Sequence, residues 1–300
     1  MLAFLSLLWG CSFLLVKIAV RGFEPLSLAF GRIAIGAVAL IAVAVAGGAS
    51  WPRGRGLWGR LAAVSIIGQI TPFVLLGAAA RLTTSADLAL MMGAVPVLSF
   101  GLSRMLGLGE VWSRRAALGL ALGFAGVALS VASPLAVGEA YAHAGWGRAL
   151  ALLAALAYGA GALLSRAASL AIGATTAAAA SLAISTALSL GLTLALQGFP
   201  SAGALTNAPP EAIAALVALG VFNTALAYLV YFRLVATAGA TFAALNNYAV
   251  PFIGMLLGWA ALGEPIAGVA WIGFALVLVG VLLTGSAALP RKVADRPPRG

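Results

Sequence analysis

Apolar residues in this chain do not alternate with polar ones, nor do they return every third or fourth position. They run on, and polar or turn-forming residues interrupt them at long, regular intervals. The runs cover 2–20, 26–47, 57–79, 85–106, 114–133, 147–167, 174–197, 211–234, 239–262 and 267–286. A helix needs roughly 20 apolar residues to cross the hydrocarbon of a bilayer, so the pattern predicts ten transmembrane helices. Short segments of period two, the mark of a membrane β-barrel, are absent from the sequence. The predicted class is an all-α membrane protein. Its first run has no basic residue ahead of it, and Lys17 and Arg21 follow rather than precede the apolar stretch. It therefore reads as a true span and not as a signal peptide.

Composition excludes the soluble alternatives. Of 300 residues, 63% are hydrophobic and 8% charged, with a mean hydropathy of +1.11, against about 45–50% and about 25% in ordinary soluble domains. The net charge of +10 is thus read as orientation and contact with anionic lipid, not as a nucleic-acid footprint. Cys11 is the one cysteine and cannot form an internal disulfide; His143 is the one histidine, which removes multi-His metal sites. With the N-terminus placed in the cytoplasm, twelve of the basic residues fall in inside segments and four outside, while Arg32 stays within the second span. The positive-inside rule then puts both termini in the cytoplasm. Loops are short, and the tail from Pro290 carries four basic residues and three prolines, which predicts a solvated, mobile end.

The two halves echo one another. Trp9-Gly10 with Lys17 returns as Tyr158-Gly159 with Arg166, and Arg81-Leu82 as Arg233-Leu234. Leu90-Met91-Met92-Gly93-Ala94-Val95-Pro96 corresponds to Leu245-Asn246-Asn247-Tyr248-Ala249-Val250-Pro251. Leu108-Gly109-Glu110 returns as Leu262-Gly263-Glu264, and from each Glu it is nine residues to a Gly (119, 273) and sixteen to a Gly-Val (126, 280). Five spans per copy is an odd number, so the second copy must insert upside down. That is the inverted-topology repeat of many secondary transporters, whose substrate site lies near the midplane. The predicted organisation is a five-helix repeat over 1–133, an external linker over 134–146, a second repeat over 147–286 and a basic cytoplasmic tail over 287–300.

These motifs, with Arg32 in the second span, resemble the drug/metabolite transporter superfamily, and within it the EamA-type ten-helix exporters, over about 1–131 and 147–286. More narrowly the chain resembles the YddG-type aromatic amino-acid exporters of bacteria. The resemblance implies efflux of small metabolites across a bacterial inner membrane. It also implies a central cavity lined by spans one, three, four, six, eight and nine, with five and ten supporting.

Candidate cavity residues follow from the cost of polar groups in hydrocarbon. Gln69, Asn223, Asn246 and Asn247 either bind the polar end of a solute or hydrogen-bond helix to helix; Trp9, Tyr158, Tyr228, Tyr231 and Tyr248 either line the cavity or pack the bundle. Pro72, Pro96 and Pro251 fall near mid-span, where each frees the carbonyl four residues back. Such a carbonyl is tolerated where neighbours, water or a cavity satisfy it. Met91 and Met92 hold the places that Asn246 and Asn247 hold in the second copy, which predicts one deformable apolar wall facing one hydrogen-bonding wall. Glu110 and Glu264 read as acids at helix starts, and Asp87 as a cap or loop residue.

No acid falls mid-membrane, which predicts a facilitator or exchanger; proton-coupled efflux of other metabolites or drugs and a passive channel are the alternatives. An intramembrane enzyme is the least favoured reading, since no His-Glu-x-x-His, buried Ser–His pair or aspartate cluster is present. The absence of a Gly-x-x-x-x-Gly-Lys loop argues against ATP hydrolysis. The expected partners are a small-molecule substrate and the bilayer, with no cofactor, no metal, no nucleic acid and no obligatory protein partner.

Overall fold

The computed structural model of the protein describes residues 1–49, 51–107, 114–132, 143–198, 207–238, 246–264, 266 and 268–288. Helices and short connections make up these residues, and no strand occurs among them. The helices are α1 (Leu2–Gly10), α2 (Ser12–Ala19), α3 (Pro25–Ala46), α4 (Arg55–Ser65), α5 (Thr71–Leu82), α6 (Ser85–Met92) and α7 (Val95–Met105). After them come α8 (Arg114–Ala132), α9 (Ala144–Ile172), α10 (Ala174–Gln197), α11 (Pro210–Gly220), α12 (Ala227–Ala238), α13 (Asn246–Leu262) and α14 (Gly268–Ala288). A π turn, Ile66–Ile70, joins α4 to α5, and a second, Val221–Leu226, joins α11 to α12.

Seven segments are long and apolar enough to cross a bilayer: Leu2–Ala19, Pro25–Ala46, Arg55–Leu82, Ser85–Met105, Ala144–Ile172, Ala174–Gln197 and Pro210–Tyr231. Shorter apolar helices cover Ala117–Gly126, Ala249–Leu262 and Trp271–Gly280. Large apolar side chains such as Val38, Leu170 and Leu196 point outward, as they should where the surroundings are lipid. The expected run over 239–262 is described from Asn246 onward, and the basic tail beyond Ala288 lies outside the described residues.

Four of these rods are interrupted, and three of the interruptions have a visible cause. The first breaks at Cys11, where the Asn223 Nδ2 donates to the Leu8 carbonyl, the acceptor that Ser12 N–H would otherwise use. A side chain inserted into the ladder is a recognised cause of such breaks. The rod Arg55–Leu82 widens into its π turn just before Pro72, whose missing N–H leaves the Gly68 carbonyl without its usual donor; Thr71 N–H reaches back to Ile66 instead. The rod Ser85–Met105 stops at Gly93-Ala94, so Pro96 lies in the first turn of α7, where a proline removes no intrahelical bond. The sequence suggests a kinked helix there; the structure has two helices. Pro251 alone of the three lies inside a helix, α13.

Small residues set the helix packing. A Cβ on Gly126 would stand 2.6 Å from the Gly273 carbonyl oxygen, and one on Gly280 would stand 2.6 Å from that of Gly119, so α8 and α14 pack antiparallel at backbone contact. Helices α6 and α13 also run antiparallel, with Gly258 against Ser85, Gly254 against Ala89 and Pro251 against Gly93. Gly68 of the first π turn meets Gly161 of α9. The main core lies among α2, α5, α6, α9 and α11 and takes in Met91 and Met92.

Candidate functional site

The rods carrying Arg32, Phe73, Tyr158 and Tyr228 converge inside the bundle. Arg32 of α3 is 7% exposed; its Nε donates to Thr224 Oγ1 at 3.1 Å, and its guanidinium carbon lies 4.0 Å from the centre of the Phe73 ring. The Phe73 ring in turn meets Tyr158 edge-on, with centroids 6.1 Å apart. Tyr158 and Tyr228 pack against the same apolar cluster as Phe73. Thr224 is free to serve Arg32 because the second π turn lets its hydroxyl also reach back to the Leu219 carbonyl at 2.9 Å. Holding a guanidinium at membrane depth costs roughly 2.5–3.5 kcal/mol on insertion scales. A desolvated cation–π contact returns about 2 kcal/mol of that. The sequence marks Arg32 only as a charge inside an apolar run; that interruption was the signal for a site residue.

Trp9 of α1 stacks at a tilt on Tyr231 of α12, with centroids 5.6 Å apart. Asn223 ties the same two regions together, donating from Nδ2 to the Leu8 carbonyl and lying 3.4 Å from Cys11 Sγ. Its Oδ1 is buried and has no partner among the described residues. The same holds for the buried Oδ1 of Asn246, which lies at the start of α13 and is 1% exposed. The side chains of Asn247 and Tyr248 lie outside the described residues.

Gln69 occupies a different place. Its Nε2 donates to Ser181 Oγ at 2.9 Å, its Oε1 accepts from Ser185 Oγ at 2.6 Å, and Ser65 Oγ donates to the Ser181 carbonyl at 2.7 Å. Both ends of the amide join the first π turn to α10. Met91 and Met92 are packed in the core, Met91 completely. The predicted candidates therefore separate into a central group around Arg32, a pair at Trp9 and Tyr231 linked to it through Asn223 and Cys11, and a helix–helix clasp at Gln69.

A third polar group gathers toward one end of α5 and the start of α6. Lys17 Nζ donates to the carbonyls of Ala80 (2.7 Å) and Thr83 (2.5 Å), the last acceptors of α5. Asp87 accepts from Thr83 Oγ1 and pairs with Arg148 Nε at 3.1 Å, both side chains being buried. Glu264 Oε2 accepts from Ser85 N–H (2.8 Å) and Ser85 Oγ (2.6 Å). The acid at Glu264 does serve a helix start, but that of α6 in the other half of the chain and not the helix that follows it. Glu110 lies outside the described residues. Among the described residues no three His, Cys, Asp or Glu side chains are grouped to hold a metal ion.

A family model, EamA-like transporter family, matches residues 1–132 and 145–286. Over 65 residues, 22% of the chain, the sequence is 43% identical to the permease-like protein YdzE of Bacillus subtilis (strain 168), of which the match covers 83%. A solved protein crystal structure superposes with a TM-score of 0.63 at 21% identity, covering 96% of each chain. That last likeness is one of fold alone.

Proposed function

The chain belongs to the EamA-like transporter family, and from that premise we propose that it exports small amphipathic metabolites, foremost aromatic or other hydrophobic amino acids. The observation that carries this reading is the meeting of Arg32 and Phe73 from the first half with Tyr158 and Tyr228 from the second, inside the bundle. A mostly apolar, aromatic surrounding with a few convergent polar groups suits such ligands; a sugar would ask for more hydrogen bonds than this group offers.

In this reading ten spans form two inverted repeats in a bacterial inner membrane, with both termini cytoplasmic. The excess of Lys and Arg in the segments assigned inside supports that orientation. Transport proceeds by alternating access, and the cluster of Lys17, Asp87, Arg148 and Glu264 is the closed external gate. Arg166, the counterpart of Lys17, is exposed at the opposite end, which supports a conformation shut outside and open inside. Transport runs down the substrate gradient, by facilitation or exchange.

The test is counterflow of labelled phenylalanine or tryptophan in proteoliposomes. Saturable counterflow, lost when Tyr158 is replaced by Ala, is the expected result. Unsaturable flux would mark a passive channel, and uphill movement driven by an imposed proton gradient would replace facilitation by proton coupling.

A further inference from the structure

Arg32 is held differently from buried Arg148 and half-buried Lys17. Lys17 and Arg148 end on carbonyls and on a carboxylate. Arg32 lies between apolar turns of α3 and is 93% buried by the 7% exposure it retains. Of the five N–H donors of a guanidinium, one, on Nε, is engaged by Thr224, and the guanidinium carbon lies over the Phe73 ring. Nη1 and Nη2 donate to nothing among the described residues, and neither of the ion pairs found there, Arg81–Glu24 and Arg148–Asp87, includes Arg32. Packing alone would be served better by an apolar side chain, since an intramembrane charge is expensive and is ordinarily paired. What the arrangement leaves open is the planar fork, the part of arginine that matches a carboxylate with two parallel hydrogen bonds.

We propose that Arg32 is the anion anchor of the transport site and that the substrate it takes is a monocarboxylate with an apolar, preferably aromatic, body. Phe73 lies against the guanidinium carbon, and Thr224 engages its Nε, which leaves the two terminal nitrogens for a ligand. The Tyr158 and Tyr228 side chains pack on the apolar cluster that contains Phe73 and offer aromatic surface. A carboxylate group offers the guanidinium one negative charge and two in-plane oxygens, which neutralise it where it is buried.

This inference rests on the export reading above but is tested apart from it. The purified full-length protein in detergent is unfolded thermally in the presence of phenylalanine, 3-phenylpropionate or phenethylamine, as wild type, Arg32→Lys and Arg32→Gln. Expected is a rise in Tm with the two carboxylates and none with the amine. Arg32→Gln should lose the carboxylate response, and Arg32→Lys should keep it with an apparent affinity at least several-fold weaker, because an ammonium cannot reproduce the fork. The proposal is overturned if the amine stabilises the wild type as well as the acids do, if no carboxylate stabilises it, or if Arg32→Gln responds like wild type. Should Arg32→Gln not fold, unchanged affinity in Arg32→Lys overturns it equally. Counterflow of phenethylamine without carboxylate binding would remove the anchor and keep the transporter; Arg32-dependent carboxylate binding without counterflow would uphold the anchor and remove the export reading.

Discussion

Asn223 places an amide donor against the Leu8 carbonyl, inside the hydrogen-bond ladder of the first rod. Interhelical bonds of this kind contribute about 0.6 kcal/mol on average and up to about 1.7 kcal/mol in membrane proteins. Asn223→Ala is therefore expected to lower stability modestly, whereas Asn223→Asp sets an acceptor against an acceptor and should lower it more. Thermal unfolding in detergent distinguishes the two, and equal losses would argue that the bond to Leu8 is unimportant. Asp87 gives a larger effect, because the pair with Arg148 is buried on both sides. Removing one partner of a buried ion pair typically costs about 3–5 kcal/mol. Asp87→Asn should approach that range, and the double variant Asp87→Asn with Arg148→Met should recover part of it; a double variant no better than the single one would show that the pair is not where the loss arises.

At the scale of elements, the apolar runs place the helices to within a few residues, because span length is set by bilayer thickness and needs no knowledge of neighbours. The interruptions were less legible. Pro72 signals the first π turn, but nothing near Val221 in sequence announces the second, and the break at Cys11 depends on an asparagine more than two hundred residues away. Gln69 likewise could be recognised as polar in hydrocarbon, yet its partners Ser181 and Ser185 sit in an alanine-rich helix that gives no local hint of pairing. Glu264 shows the same limit: its sequence neighbours suggest a cap for the following helix, and folding brings it to α6 instead. Since its carboxylate satisfies two donors of Ser85, Glu264→Gln is expected to hold the proposed external gate less firmly. A cysteine placed at the neighbouring, buried Ala86 in a Cys11→Ala background should then react faster with a membrane-impermeant maleimide when Gln replaces Glu264. An unchanged labelling rate would separate this contact from gating.

For the whole molecule, the contacts of α8 and α14 are the most informative. The sequence repeat equates Gly119 with Gly273 and Gly126 with Gly280. Gly126 packs on Gly273, and Gly280 packs on Gly119, so exchanging the halves turns one contact into the other. Such reciprocity is the property of a two-fold relation. The two helices, equivalent by sequence, run antiparallel, and so do α6 and α13, which belong to the equivalent fourth and ninth spans. A two-fold axis along the helices would leave equivalent helices parallel; an axis lying across them reverses one. Antiparallel equivalents thus favour an axis in the membrane plane, which is the requirement of an inverted repeat. The expected consequence concerns sidedness. With Cys11 replaced by Ala, single cysteines at Trp51 and at Asn207, both exposed beyond the second span of their half, should label from opposite sides of the membrane, Trp51→Cys from the cytoplasm. Labelling of both from one side would require a parallel repeat, and with it the midplane site and the rocking of two halves about Arg32 would have no symmetry to act through.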